Sequence, residues 1–315
     1  MHKYIIKRMV MLIPVIIGVT LIVFGIMDMS PGDPAQIILG SDASQETLEL
    51  LREELGLNRP LVVRYFSYMG GLLRGDLGTS YKTGLSVASQ IAEKLPNTLL
   101  LASASMVIAT AIGIPFGIIS AKKPYTALDN ICMVIALVGL SAPAFWAGLV
   151  AVIVFALKLG WFPAAGMGEG FFGMLRSLVL PACTVGISTA AVVTRQTRSS
   201  VLDVVNQDYI DTARAKGVKE SVVTRRHMLK NALIPIITVA GLQYGVLLGG
   251  SVATETVFAW PGLGRFIIDS IKTKDIPAVM GSVIILAIIS TIVNLAVDIL
   301  YAFVDPRIKS QYKGR

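Results

Sequence analysis

Six apolar runs, at about 9–27, 95–119, 131–157, 178–193, 232–253 and 279–303, leave this 315-residue chain few ways to fold. A helix crosses the hydrocarbon core of a bilayer in about 20 mainly apolar residues, and each run is bounded by charges or by Pro/Gly turns. Lipid offers no partner to backbone N–H and C=O groups, so a spanning segment has to satisfy them within itself. The expected fold is all-α, a polytopic membrane protein with six transmembrane helices, of which the run at 178–193 is the shortest. Composition agrees: 54% of residues are apolar and 15% charged, far from a soluble domain.

Lysine and arginine in short loops are retained on the cytoplasmic side. Lys3, Lys7 and Arg8 precede the first run, and Lys122 and Lys123 join the second to the third. Arg195, Arg198, Arg214, Lys216, Lys219, Arg225, Arg226 and Lys230 join the fourth to the fifth, and Arg307, Lys309, Lys313 and Arg315 follow the sixth. These segments alternate as one side of a membrane should, which puts both termini in the cytoplasm. The net charge of +8 is then a product of topology rather than a nucleic-acid footprint. The expected surroundings are a lipid bilayer, with no nucleic acid. The first run is about 19 residues and is followed by MDMSPGDP without a small-x-small cleavage site, so it stays a span rather than a signal peptide. Cys132 and Cys183 both fall inside runs, as small apolar residues, and suggest neither a disulfide framework nor a metal site.

The chain divides into 1–28, an insertion at 29–94 on the side opposite the basic loops, and a core at 95–315 whose loop 195–231 is cytoplasmic. The insertion is too long for a tether. Ser44 ahead of the LELLREEL stretch, with Thr47 at N3 and Gly56 as a stop, reads as a capped amphipathic helix. Residues 60–73 read as a second, with Leu61, Tyr65, Tyr68 and Leu72 on one stripe. GDLGTSY at 75–81 is a turn-rich break, and 87–94 a short third helix.

Inside the runs, small and polar residues carry the information. Gly241, Gly245 and Gly249 recur every four residues and imply a face buried against another helix, of this chain or of a partner. Asn294, Asp298, Tyr301 and Asp305 also share one face, and an ionised Asp298 should look toward protein or water. Pro143 in SAPAFWAG should kink the third run.

Absences separate the function classes. No G-x-x-x-x-G-K-[ST] loop occurs, so nothing in the chain is built to cradle ATP phosphates. The two histidines, His2 and His227, lie outside the runs, and no H-E-x-x-H occurs; an intramembrane protease has no base or metal to use. An enzyme is therefore not expected. An ion channel or secondary transporter is the reading from a different class, but charges in mid-run are nearly missing and no internal repeat is visible. What remains is a membrane component driven from outside itself.

The segment 206–235, NQDYIDTARAKGVKESVVTRRHMLKNALIP, is a charged island between two apolar runs. DYIDTARAKG has helix formers followed by Gly217 as a stop, with Tyr209, Ala213 and Lys216 or Gly217 along one face. A docking helix and a solvated charged helix both fit that composition. DTARAKG at 211–217 is similar to the EAA loop of ABC importer permeases, with Asp211 where that pattern has glutamate and Thr212 at its first alanine. RRHMLKNALIP at 225–235, ETVFAWPGLGR at 255–265, NLAVDILYAFVDPR at 294–307, SPGDPA at 30–35 and GDLGTSY join it. Together they resemble the B-type permease of the dipeptide, oligopeptide and nickel importer family over nearly the whole chain. Lys230 stands where the C-type partner tends to have proline, which supports the B-type assignment.

The resemblance implies a type I ABC importer permease fold in a bacterial or archaeal cytoplasmic (inner) membrane. It implies a heterodimer with a homologous C-type permease, ABC ATPase subunits below and an extracytoplasmic solute-binding protein above. ATP and Mg would belong to the ATPases, with no cofactor in this chain. Asp208, Tyr209, Asp211, Thr212, Ala213, Arg214, Ala215, Lys216 and Gly217 would form the coupling helix that transmits ATP-driven motion to alternating access. Arg225, Arg226 and His227 would brace the loop. The turn chemistry of Pro261, Gly262 and Gly264 suggests a rigid extracytoplasmic gate or docking loop, with Glu255, Phe258, Trp260, Pro261 and Arg265 as its residues. Di- or oligopeptides are the expected substrate; nickel, a metal chelate or glutathione is the alternative within the same class.

Overall fold

The computed structural model describes residues 2–40 and 42–304, and among these the fold is helical, with one isolated bridge between Thr79 and Ser86. Among the described residues five helices are long and apolar enough to cross a membrane, or six if a bent pair counts as one span. The side chain of Tyr301 and the residues Asp305, Arg307, Lys309, Lys313 and Arg315 lie outside the described residues. Two compact units divide the chain at other places than 28 and 94: one holds residues up to Thr98 with Pro261–Thr291, the other Leu99–Trp260 with the chain from Ile292.

In the first unit, α1 (His2–Met29) is followed by the short helices α2 (Pro34–Leu39), α3 (Gln45–Glu54) and α4 (Leu61–Leu72). Ser44 accepts the Thr47 N–H at 3.2 Å, as the sequence implies, and Gly56 past the end of α3 has φ +67°. Asp33 caps α2 through the Ala35 N–H and takes Arg52 of α3 at 2.7 Å, which fastens the two helices together. Tyr65 of α4 is buried and Tyr68 and Leu72 half-buried, while Leu61 is exposed. Tyr65 meets Phe24 edge-on, with ring centroids 5.6 Å apart, in a cluster with Met27, Ile276, Val279 and Met280.

The same unit holds α13 (Leu263–Lys272) and the beginning of α14 (Ile276–Val304). Between them Lys274, at φ +56°, donates its ammonium to the carbonyls of Met27 and Ser30 at the end of α1, where helix carbonyls lack partners. Asp275 caps α14 through the Ala278 N–H at 3.3 Å and accepts the Ser80 hydroxyl and the Tyr81 N–H. The loop GDLGTSY is thereby fixed without regular structure.

The helix α5 (Val87–Lys122) corrects two expectations at once: 87–94 is not a separate helix but the first turns of the second span, which runs on through Pro96. In the second unit α6 (Ala127–Ser141) meets α7 (Ala144–Ala151) at a bend of 94°, and a π-helical turn, Val152–Lys158, ends α7. The break lies where Pro143 denies α6 an N–H, as expected.

The span expected at 178–193 is the longest departure, because α8 covers Gly170–Val205. At 1.5 Å per residue those 36 residues reach about 54 Å, well past a bilayer core. Thr184, Thr189 and Thr194 each return their hydroxyl to the carbonyl four residues back, at 2.7–3.0 Å. Polar residues that lower the apparent hydropathy are therefore satisfied inside the helix, and α8 is the most enclosed of the spans. Gly113 of α5 lies against Val193, Gly117 against Thr197, and Ile108 against Gly186. The pairs advance together, so α5 and α8 run side by side in the same direction.

Beyond α9 (Asp208–Ala215), a short α10 (Glu220–Val222) leads through a second π-helical turn, Val223–Met228, into α11 (Leu229–Gly250) and α12 (Val252–Val257). Gly241 meets Val297 and Gly245 meets Asn294 of α14, whereas Gly249 has open space. Two of the three glycines thus serve packing within the chain.

Candidate functional site

The charged island folds as α9 and the turns around it. Asp208 and Asp211 sit in the first turn and Arg214 in the last, the order that suits the helix dipole. At the far end Gly217 has φ +73°; its N–H goes to Arg214 O at 2.9 Å and that of Val218 to Ala213 O at 3.3 Å. Those are the two bonds of a Schellman end, and Val218 packs beside Ala213. A sequence reading of Gly217 as a helix stop is therefore accounted for in atomic terms.

Which face is free differs from the expected one. Ile210 is fully buried and Ala213 buried, in a cluster with Val223, Met228 and, from α8, Val204 and Val205. Ala213 therefore cannot share an outward face with Tyr209. The outward face is Asp208, Tyr209, Asp211, Thr212, Arg214, Ala215 and Lys216, all exposed. Hydropathy of one helix could not show this, because the apolar partners come from the π-helical turn and from α8.

Two side-chain ties hold α9. Arg214 reaches Glu220 through Nη2 at 3.0 Å and Nε at 3.3 Å, and that hydrogen bond pushes the Arg214 guanidinium up from its ordinary value. Asn231 Nδ2 donates to the Tyr209 hydroxyl at 2.8 Å. Of the residues expected to brace the loop, Arg226 is exposed and His227 half-buried, and neither side chain makes a hydrogen bond or ion pair to the described residues. The side chain of Arg225 lies outside the described residues. Among the described residues, Arg214 and Tyr209 tie α9 to the chain that follows it.

Sequence reasoning missed one cluster beside the island. Asp129 at the start of α6 is 2% exposed and accepts Arg198 Nε and Nη2, both at 2.7 Å, together with the Ser120 hydroxyl and the Tyr125 N–H. Arg198 had registered only as a topological charge. Its pairing across many residues leaves no local pattern.

The segment 255–265 is held inward. Glu255 and Trp260 are fully buried and Phe258 nearly so. Glu255 accepts the Ser251 hydroxyl at 3.1 Å, Trp260 packs with Leu101, Leu178 and Ala182, and Phe258 lies against Gly148. Ala259 at φ +49° makes the turn between them. Pro261 O accepts Asn97 Nδ2 at 2.9 Å, and Arg265 pairs with Asp269 at 3.6 Å. Glu255, Phe258 and Trp260 thus present no outward surface, whereas Arg265 and Asp269 are both half-buried.

Comparison with known proteins places these features. The family model described as "Binding-protein-dependent transport system inner membrane component" matches residues 113–310, and "Binding-prot-dependent transport system membrane comp, N-term" matches 1–102. The chain is 44% identical over 315 residues to the oligopeptide transport system permease protein AppB of Bacillus subtilis (strain 168), covering 98% of this chain and 100% of that one. It is 42% identical over 332 residues to the dipeptide transport system permease protein DppB of Alkalihalophilus pseudofirmus, with 98% and 100% covered. To the glutathione transport system permease protein GsiC of Escherichia coli (strain K12) it is 41% identical over 309 residues, with 98% and 99% covered. Among solved structures, an inward-facing MetNI methionine ABC transporter chain aligns with TM-score 0.59 and 18% identity over 69% of this chain and 96% of that one. That likeness bears on the fold.

Proposed function

The chain belongs to the family of binding-protein-dependent transport system inner membrane components, as a multi-pass permease subunit of the cytoplasmic membrane, and from that premise we propose that it forms half of the translocation pathway of an ATP-driven importer of short peptides. The fold is that of type I ABC importer permeases. The other half is a homologous C-type permease. ATP and magnesium are bound by ATPase subunits seated under α9, and a solute-binding protein delivers the peptide from the far side. This chain itself hydrolyses nothing.

The observation that carries the substrate class is full-length identity of 44%, 42% and 41% to permeases named for oligopeptide, dipeptide and glutathione transport. All three cargoes have peptide bonds and terminal carboxylates. The coupling role is supported by the exposed face of α9, a polar helix ended by a Schellman turn, which none of the described residues covers. Closure of the ATPases around ATP displaces α9, and the spans rock between inward- and outward-facing states. Both ends of the chain and the loop carrying α9 face the cytoplasm.

The permeases, ATPases and binding protein, purified together and sealed into vesicles, should take up a labelled di- or tripeptide only when ATP is on the α9 side. Nickel uptake without peptide uptake would replace the substrate class. Peptide uptake that ignores ATP would remove the importer reading altogether.

A further inference from the structure

The Asp129–Arg198 pair is built more specifically than charge balance requires. Arg198 grips both carboxylate oxygens at 2.7 Å, Ser120 of α5 donates to Oδ1, and the Tyr125 N–H in the α5–α6 turn donates to Oδ2 at 2.8 Å. The carboxylate is thus saturated by three separate stretches of chain. A two-pronged guanidinium contact fixes the planes of both groups and so the rotation of one helix against the other, which a point contact leaves free. An apolar pair of the same volume would hold α6 to α8 equally well. Orientation is what the ion pair adds.

Its position gives that orientation a use. From Arg198 about two turns of α8 remain before the chain enters α9. Val204 and Val205, on those turns, pack against Ile210 and Ala213 of α9. Thr197, the residue just before Arg198, abuts Gly117 of α5. The underside of α9 is therefore seated on the end of α8, and α8 is keyed at the same level to α5 and α6.

We infer that Asp129 and Arg198 are positioning residues for transport: they make α9, the end of α8 and the α5–α6 hairpin move as one body, so that displacement of α9 reaches the spans α5 and α6. The inference rests on the reading of α9 as the ATPase contact. Neither residue touches cargo or nucleotide.

The test is the amount of peptide moved per ATP hydrolysed by the assembled importer in vesicles. Arg198→Lys keeps the charge and loses one prong; Asp129→Asn keeps the shape and loses the charge. In each, ATP hydrolysis should persist while the transport ratio falls about fivefold or more, with KM for peptide unchanged; exchanging the partners, D129R with R198D, should regain part of the ratio. A wild-type ratio in both single variants, or a parallel fall in hydrolysis and uptake that leaves the ratio unchanged, would overturn the inference. Should the single variants not assemble, D129L with R198M replaces the pair by packing alone: a lowered ratio supports the role and a wild-type ratio removes it. A Thr212→Cys cross-link to the ATPase, in a background lacking Cys132 and Cys183, reports separately on α9. Its absence would sink the coupling-helix reading whatever the ratio does.

Discussion

Gly241 of α11 and Val297 of α14 meet with no room for a side chain between them: a Cβ on Gly241 would stand 2.2 Å from Val297 Cγ2, 2.5 Å from Cγ1 and 2.9 Å from Cβ. Gly241→Ala should therefore part the two helices and destabilise the chain by about 1–3 kcal/mol. Trimming Val297 to Ala removes the two nearest carbons and leaves the 2.9 Å approach, so the double variant should recover part of the loss. Thermal unfolding in detergent measures it, and a double variant no better than G241A would show that Val297 is not what the glycine accommodates.

Gly117 poses the opposite case. A Cβ there would lie 2.5 Å from Thr197 Cβ but also 2.7 Å from the Thr194 carbonyl oxygen, which is backbone. Gly117→Ala should destabilise by a similar 1–3 kcal/mol, order of magnitude, and Thr197→Ala should fail to rescue it. A full rescue would place the obstruction in the side chain alone.

At Gly217 the obstacle is conformational rather than steric, because φ is +73° and nothing lies within 4 Å of an added Cβ. Gly217→Asn should keep the helix end and most of the transport. Gly217→Leu, which resists the left-handed region by about 1–2 kcal/mol, should lower peptide uptake more than ATP hydrolysis in vesicles. Equal transport by the leucine and asparagine variants would make the Schellman end irrelevant to coupling.

Asp275 collects the Ser80 hydroxyl, the Tyr81 N–H and its own helix's Ala278 N–H while 1% exposed. Asp275→Ala leaves those donors without an acceptor, at about 1–3 kcal/mol for each buried group. The expected outcome is early protease cleavage in 75–86 with the spans still inserted. Ser80→Ala removes one donor and should be milder; cleavage as fast as in D275A would mean that the hydroxyl, not the carboxylate, organises the loop.

The spans were legible because their apolar runs match a bilayer, and the elbow at Pro143 because a missing N–H acts locally. The true extent of α8 was hidden by its threonines, which read as polar in a hydropathy window although their hydroxyls close onto the helix itself. In α9 the residues were identified and the face was not: what turns Ala213 inward is Val204, Val223 and Met228, contributed by other elements. Gly113 and Gly117 did carry a signal, the small-x-x-x-small spacing that was read at 241–249. Glu255 and Asp129 carried none, since a charge bound for the interior looks in sequence like any surface charge.

Parity follows from the shared direction of α5 and α8. Neighbouring helices that point the same way can be joined only by a connection that itself crosses to the opposite face, so the 94° elbow deflects a crossing without cancelling it. Counted so, α5, the bent pair and α8 are three successive crossings, and the described residues hold six candidate spans. Cysteines introduced at Pro124 and Asn206 should label from one compartment and one at Ala165 from the other; Pro124 and Asn206 labelling from opposite compartments would make the bent pair re-entrant. If the elbow is one crossing, the loss of its second arm would turn everything after it inside out.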